Sequence, residues 1–501
     1  MGIVIRQSIK STIVIYSGIA IGTVNILWLY PKFFSPEQIG LIRVLQDLPF
    51  LLALFFRLGA SNLSDRFFFH FRDGENKHNG FLLLILLYPL AGMLIFISGF
   101  LLFNDYWKTF FNNSPLLLEY FYFIIPLVFF VMYADILESY MRVNFLTVFP
   151  NLIKEVGIRI LFTIMAIFFG LKILDVDSLI IYFTSCYAAA LLVSIVYLKS
   201  KKILFLNPDS KLLKKGLMQE MGTYLLFMIP GTVGSIIAQK IDTLMIVSIK
   251  DLKSAGVYSI AYFIGTVVEV PKRSIAAIST PILSKALKEN DYKTVEELYK
   301  KSSLTQLLAG SVIFVLVWIN IDDLFNLIPN SEEYREGKYV ILFIGLAKLI
   351  DMVTGINGEI IQLSKYFRFN IVAIVFLAFI TVFFNLMLIE KYSITGIGIA
   401  FAITMFLFNG LKTIFLYVKM KYHPFSIKMI HIILLNMIIT SACYYLPFQT
   451  HSIFISLVII AVKSAIVVIV YFITIRKFKI SEDVNNLIDS FCVKYNIKLP
   501  L

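Results

Sequence analysis

Apolar runs of about twenty residues, separated by short polar turns, recur along the whole of this chain. They lie at 9–30, 41–60, 80–103, 118–140, 151–171, 178–198, 221–248, 256–283, 303–328, 338–362, 369–389, 393–418, 429–446 and 452–475. A run of that length spans a bilayer when helical, and the runs do not alternate in and out as barrel strands do. The 501 residues are 59% hydrophobic and 15% charged, with a mean hydropathy of +0.83. No soluble core could bury so much apolar surface. The expected fold class is an all-α polytopic membrane protein of about 14 transmembrane helices.

The formal charge of +13 is spread over many short loops, not gathered on one aromatic-laced face, so nucleic acid is not an expected partner. Membrane topology accounts for it better. With the N-terminus inside, thirty Lys and Arg fall in inner segments and eight outside: Lys32, Lys108, Lys172, Lys250, Lys253, Arg335, Lys338 and Lys391. A miscounted span would invert every later loop, so this contrast predicts fourteen spans with both termini cytoplasmic. The first apolar run is too long for a signal peptide and lacks a small-x-small cleavage site, so it reads as a retained span. The three cysteines (Cys186, Cys443, Cys492) and five histidines are scattered, and neither a disulfide framework nor a metal site is expected. The tail SEDVNNLIDSFCVKYNI reads as a surface helix without chemistry.

The two halves echo one another. QIGLI (Gln38–Ile42) enters the second span as SAGVY (Ser254–Tyr258) enters the eighth, and aligning Gly40 with Gly256 sets Arg57 opposite Arg273, at a common offset of 216. A six-plus-six repeat with two further spans would explain the offset. The expected organisation is an N-terminal lobe at 1–215, a second lobe at 216–425, and spans thirteen and fourteen with the tail at 426–501.

Ionised groups at membrane depth are costly and persist where they face a partner or a watery cavity. The central stretch, 240–287, carries Lys240, Asp242, Glu269, Lys272 and Arg273 inside its apolar runs. Arg43 with Asp47, Glu138 with Arg142, Glu155 with Arg159 and Glu269 with Arg273 stand at i,i+4, where opposite charges share a helix face. The 138/142 and 155/159 pairs read as structural pairs near the inner surface. Lys348, Asp351, Gly355 and Glu359 form one expected polar stripe on span ten, and Lys463 lies mid-span in span fourteen. Pro49, Pro126, Pro230 (beside Gly231) and Pro271 interrupt spans and are candidate bending points. GxSxG, P-loop, HExxH and Gly-rich nucleotide motifs do not occur, and the outer loop near 319–337 is short and acidic, so a transporter is expected and not an enzyme.

The stretch from KIDTLMIVSIKDLKSAGVYSIAYFIGTVVEVPKRS onward resembles the seventh-to-eighth span region of bacterial polysaccharide-biosynthesis oligosaccharide flippases. IYSGIAIGTVNILWLYPKFFSPEQIGLIRVLQDL resembles their first hairpin, and NLMLIEKYSITGIGIAFAIT their eleventh-to-twelfth. The resemblance implies the multidrug/oligosaccharidyl-lipid/polysaccharide exporter superfamily, with two six-helix lobes in a V plus two C-terminal helices. It implies an inner-membrane flippase of O-antigen type that moves an undecaprenyl-diphosphate-linked oligosaccharide to the periplasmic leaflet. Such a flippase would be a monomer, serve lipopolysaccharide or other surface-glycan assembly beside a polysaccharide polymerase, and need no cofactor beyond a coupling ion, H+ or Na+. The diphosphate needs cations, and Arg43, Arg57, Lys240, Arg273 and Lys348 are the expected ones. Asp47, Asp242, Glu269 and Asp351 are expected to balance these charges or bind the coupling ion. The alternatives are a multidrug-type antiporter of the same superfamily, which would typically have twelve spans, a membrane enzyme of polysaccharide assembly, and a non-transporting scaffold.

Overall fold

The computed structural model describes residues 2–73, 77–207, 215–444, 453–478, 480 and 485. The expected tail helix and the loop cations Lys211 and Lys214 lie outside these. The main helices are α1 (Gly2–Val24), α2 (Pro36–Phe56), α3 (Phe81–Leu102), α4 (Ile124–Val143), α5 (Ile158–Gly170), α6 (Val176–Ser200), α7 (Lys215–Ile249) and α8 (Leu252–Thr266). They continue as α9 (Val270–Lys288), α10 (Tyr292–Ile319), α11 (Lys338–Val353), α12 (Asn357–Leu363), α13 (Phe367–Met420), α14 (Ile427–Tyr444) and α15 (Ile453–Lys477). Every expected apolar segment has a helical counterpart. Among the described residues, nine helices are long and apolar enough to cross a membrane, or ten with the bent pair α11–α12. The chain is an all-α polytopic membrane protein.

Starts and breaks follow local chemistry. Ser35 caps α2 through a capping box: its hydroxyl accepts the Gln38 N–H at 3.3 Å, and its own N–H donates to Gln38 Oε1 at 3.0 Å. Asp251 caps α8 by accepting from the Ser254 N–H at 2.6 Å. Pro49 and Pro230 lie inside α2 and α7. Pro126 and Pro271 instead fall in the first turns of α4 and α9, where a missing N–H breaks no intrahelical bond.

Segments 369–389 and 393–418 form one 54-residue element interrupted at Ser393 (φ 53°, ψ −139°). A Cβ added at Gly396 would collide with the carbonyl of Leu388, eight residues earlier. A straight helix would hold those residues about 12 Å apart, so the chain doubles back there. Part of the expected outer loop near 319–337 is also helical: Ile321–Leu327 forms a short helix that carries Asp323 into the interior.

The chain divides into two compact units, Met1–Ser259 and Ile260–Leu501. In the first, α2 packs on α4 and α7, and α4 on α6. In the second, α11 packs on α13, and α10 on α9, α11 and α14. Large apolar side chains such as Leu102, Leu226 and Phe454 stay exposed, as lipid-facing residues do.

Candidate substrate-binding site

In the first unit, Asp47 is buried on α2 and sits between two cations. Arg43 Nε, one turn earlier, lies 2.8 Å from Oδ2, and Lys240 of α7 donates to Oδ1 at 2.5 Å. The Thr243 hydroxyl donates to Oδ2 at 3.2 Å. One carboxylate with two cations leaves a net positive charge held in fixed geometry. The adjacent Asp242 is buried and accepts from the Tyr258 hydroxyl at 2.9 Å. Arg57, at the C-terminal end of α2, pairs with Asp135 of α4, whose carboxylate also accepts from the Ser61 hydroxyl at 2.8 Å.

The second unit repeats the motif of one carboxylate between two cations. Glu269, in a 3-10 turn between α8 and α9, meets Arg273 at 3.3 Å and Lys348 at 2.6 Å. Lys348 Nζ also lies 5.3 Å from the centre of the Phe401 ring, within cation–π range. Arg273 is the exposed member, with 64% of its side chain accessible. Its neighbour Lys272, not Arg273, reaches Asp351.

The expected stripe on span ten is not continuous. Gly355 has φ +60°, a left-handed conformation that ends the helix, and α12 leaves α11 at 50°. Lys348 and Asp351 therefore sit on one helix and Glu359 on another. A Cβ at Gly355 would also collide with the Ser303 hydroxyl. Around the break, Asn409 Oδ1 accepts from the Thr354 hydroxyl and the Asn357 amide, both at 3.2 Å.

Asp135 in the first unit, and Lys272 and Lys412 in the second, stand beside these charges although none was among the expected site residues. Lys412 is buried on α13 with its ammonium 4.0 Å from the Phe408 ring centre. Among the described residues no carboxylate lies within 4.0 Å of it. A signal for it existed: thirty inner and eight outer cations leave seven of the 45 inside spans, and Lys412 is one of them. It lies near the inner end of its apolar run, where lysine side chains commonly snorkel.

Neither a protein-family model nor a curated protein matches the sequence. Solved structures do match. A lipid II flippase, MurJ, in an inward closed conformation superposes with a TM-score of 0.74 at 17% identity, over 94% of this chain and 99% of that one. The chain shares its fold. A multidrug resistance MATE family transporter of the MOP superfamily matches in its inward-facing conformation (TM-score 0.60, 12% identity, 86% of this chain and 96% of that one). The outward-facing conformation of such a transporter gives 0.54 at 15% identity, over 83% and 95%.

Proposed function

We propose that this chain belongs to the multidrug/oligosaccharidyl-lipid/polysaccharide exporter superfamily and flips a polyprenyl-diphosphate-linked oligosaccharide across the bacterial inner membrane. The substrate would be an undecaprenyl-diphosphate-linked repeat unit, taken from the cytoplasmic to the periplasmic leaflet by alternating access for O-antigen or other surface-glycan assembly. Coupling would be to H+ or Na+, with both termini cytoplasmic. The observation that carries this reading is the repeated arrangement of one carboxylate between two cations, Asp47 with Arg43 and Lys240, Glu269 with Arg273 and Lys348. Each leaves a net positive charge, and beside the buried Asp47 and the largely buried Lys348 a diphosphate is attracted more strongly than in water. The likeness to a lipid II flippase over nearly the whole chain supports it.

A multidrug-type antiporter is the second reading, favoured by the MATE likeness. Against it, Asp47, Glu269 and Asp351 already hold Lys or Arg side chains, which a cationic drug would have to displace. A strain lacking the gene separates the two. Complete, lipid-linked repeat units should accumulate on the cytoplasmic leaflet while surface glycan disappears. Normal glycan with new sensitivity to cationic dyes would select the antiporter. Arg273→Ala and Lys348→Ala should abolish complementation while inserting at wild-type levels, and glycan retained in both would remove the proposed anion role.

A further inference from the structure

The helix break of the second unit, between α11 and α12, lies in a polar interior. Ser303 and Gln306 of α10, Thr354 and Asn357 at the break, and Asn409 and Lys412 of α13 are all buried. An apolar helix bundle tolerates such groups when each finds a partner. Three of them do: Asn409 Oδ1 accepts from the Thr354 hydroxyl and from the Asn357 amide. The other three stay open. Ser303 Oγ and both amide atoms of Gln306 are buried without a hydrogen-bond partner. Among the described residues Lys412 makes no hydrogen bond, and no carboxylate lies within 4.0 Å of its ammonium.

The open groups border the same turn of chain. A Cβ added at Gly355 would collide with the Ser303 hydroxyl, and one at Gly358 would stand 3.7 Å from Lys412 Nζ. Gln306 follows Ser303 by three residues, on the same face of α10. The Phe408 ring covers one side of the ammonium, with 4.0 Å to the ring centre, and leaves its other donors open. A buried charge is retained at depth where it meets a counter-charge. The neighbouring carboxylates do not supply one: Asp351 is taken by Lys272, and Glu359, half-buried on α12, forms no ion pair with Lys412. An ammonium, a hydroxyl and a carboxamide N–H are all donors, an array that attracts an anion and repels a metal ion. One ammonium balances one negative charge. A doubly charged oxyanion would leave an excess charge in a dry interior.

We propose that the break between α11 and α12 holds one monovalent anion of the halide class, on the Lys412 ammonium, the Ser303 hydroxyl and the Gln306 amide. These residues are distinct from the carboxylate–cation groups assigned to the diphosphate, and the test reads binding without transport. Full-length protein in detergent is transferred to sodium gluconate and titrated with sodium chloride or sodium bromide at constant ionic strength, and its unfolding temperature is followed. A saturable rise is expected with both halides and not with sulfate. Lys412→Met should abolish the rise. Gln306→Leu, which takes no partner from any other group, should raise the half-saturating halide concentration about tenfold or more. Crystals grown in bromide should show one anomalous peak in contact with Lys412 Nζ. If Lys412→Met fails to fold, Gln306→Leu and the bromide peak decide. Equal unfolding temperatures in gluconate and chloride, a rise that sulfate matches, a rise retained in Lys412→Met, an unchanged half-saturation in Gln306→Leu or no bromide at Lys412 overturns the proposal.

Discussion

Asp323 and Lys463 show how far a single residue can be read from sequence. Lys463 stands out because it interrupts span fourteen, but its partner lay in what read as an outer loop. In the folded chain the two are buried and joined at 2.8 Å, with Asn320 donating to the Ser464 hydroxyl at 3.3 Å beside them. Removing one partner of a buried pair leaves an uncompensated charge, at a cost of about 3–5 kcal/mol, whereas replacing both with apolar groups is near neutral. Lys463→Met should therefore lower the unfolding temperature sharply, and adding Asp323→Leu should recover most of the loss. A single variant as stable as wild type would contradict the pairing. Asp291, the cap of α10, makes a pH prediction. The Thr294 hydroxyl and N–H, at 2.6 and 3.1 Å, hold its carboxyl below the usual aspartate range. The ionised form is thus favoured by folding. Its contribution is complete above the ordinary aspartate pKa and is lost as pH falls through the lower folded value. Asp291→Asn should make acid-side stability less steep in pH, as followed by thermal unfolding across about pH 6 to 3.

At the scale of elements, the internal repeat becomes a physical contact. A Cβ added at Gly40 would collide with the carbonyl of Leu252, and one at Gly256 with the carbonyl of Pro36. Each glycine meets the residue four positions before the other, which is the reciprocity of a local two-fold axis. The caps obey the same offset of 216: Ser35 starts α2 and Asp251 starts α8. Glycine is required at both positions because backbone meets backbone there. Gly40→Ala and Gly256→Ala should destabilise by similar amounts, at or above the about 1–3 kcal/mol typical of overpacking, measured as loss of thermal stability in detergent. A marked difference between the two would break the symmetry. The helix breaks were less legible. Proline occurs both in first turns and in helix interiors, and only the position of each helix start separated Pro126 and Pro271 from Pro49 and Pro230. At Gly355 the 3.6-residue period continued through the sequence while the backbone did not.

For the whole molecule, the asymmetry of thirty inner against eight outer cations predicts that a reporter fused after Arg476 reads out as cytoplasmic. A periplasmic signal would overturn the span order. Membrane character, the helical fold class and the Gly40/Gly256 correspondence were legible in the sequence because each rests on a one-dimensional quantity: composition, run length and residue offset. A bilayer makes such patterns binding, since every buried backbone group must be satisfied within its own helix. The partners of the charges were not legible in this way. Sequence placed Arg43 one turn from Asp47 and Arg273 one turn from Glu269, and these pairs form. That Lys240 also reaches Asp47, Lys348 reaches Glu269, Lys272 takes Asp351 and Arg57 takes Asp135 depends on which helices adjoin and how each is rotated. Hydrophobic patterning is nearly silent on rotation when a helix is apolar on all sides, so only tertiary packing decided those contacts.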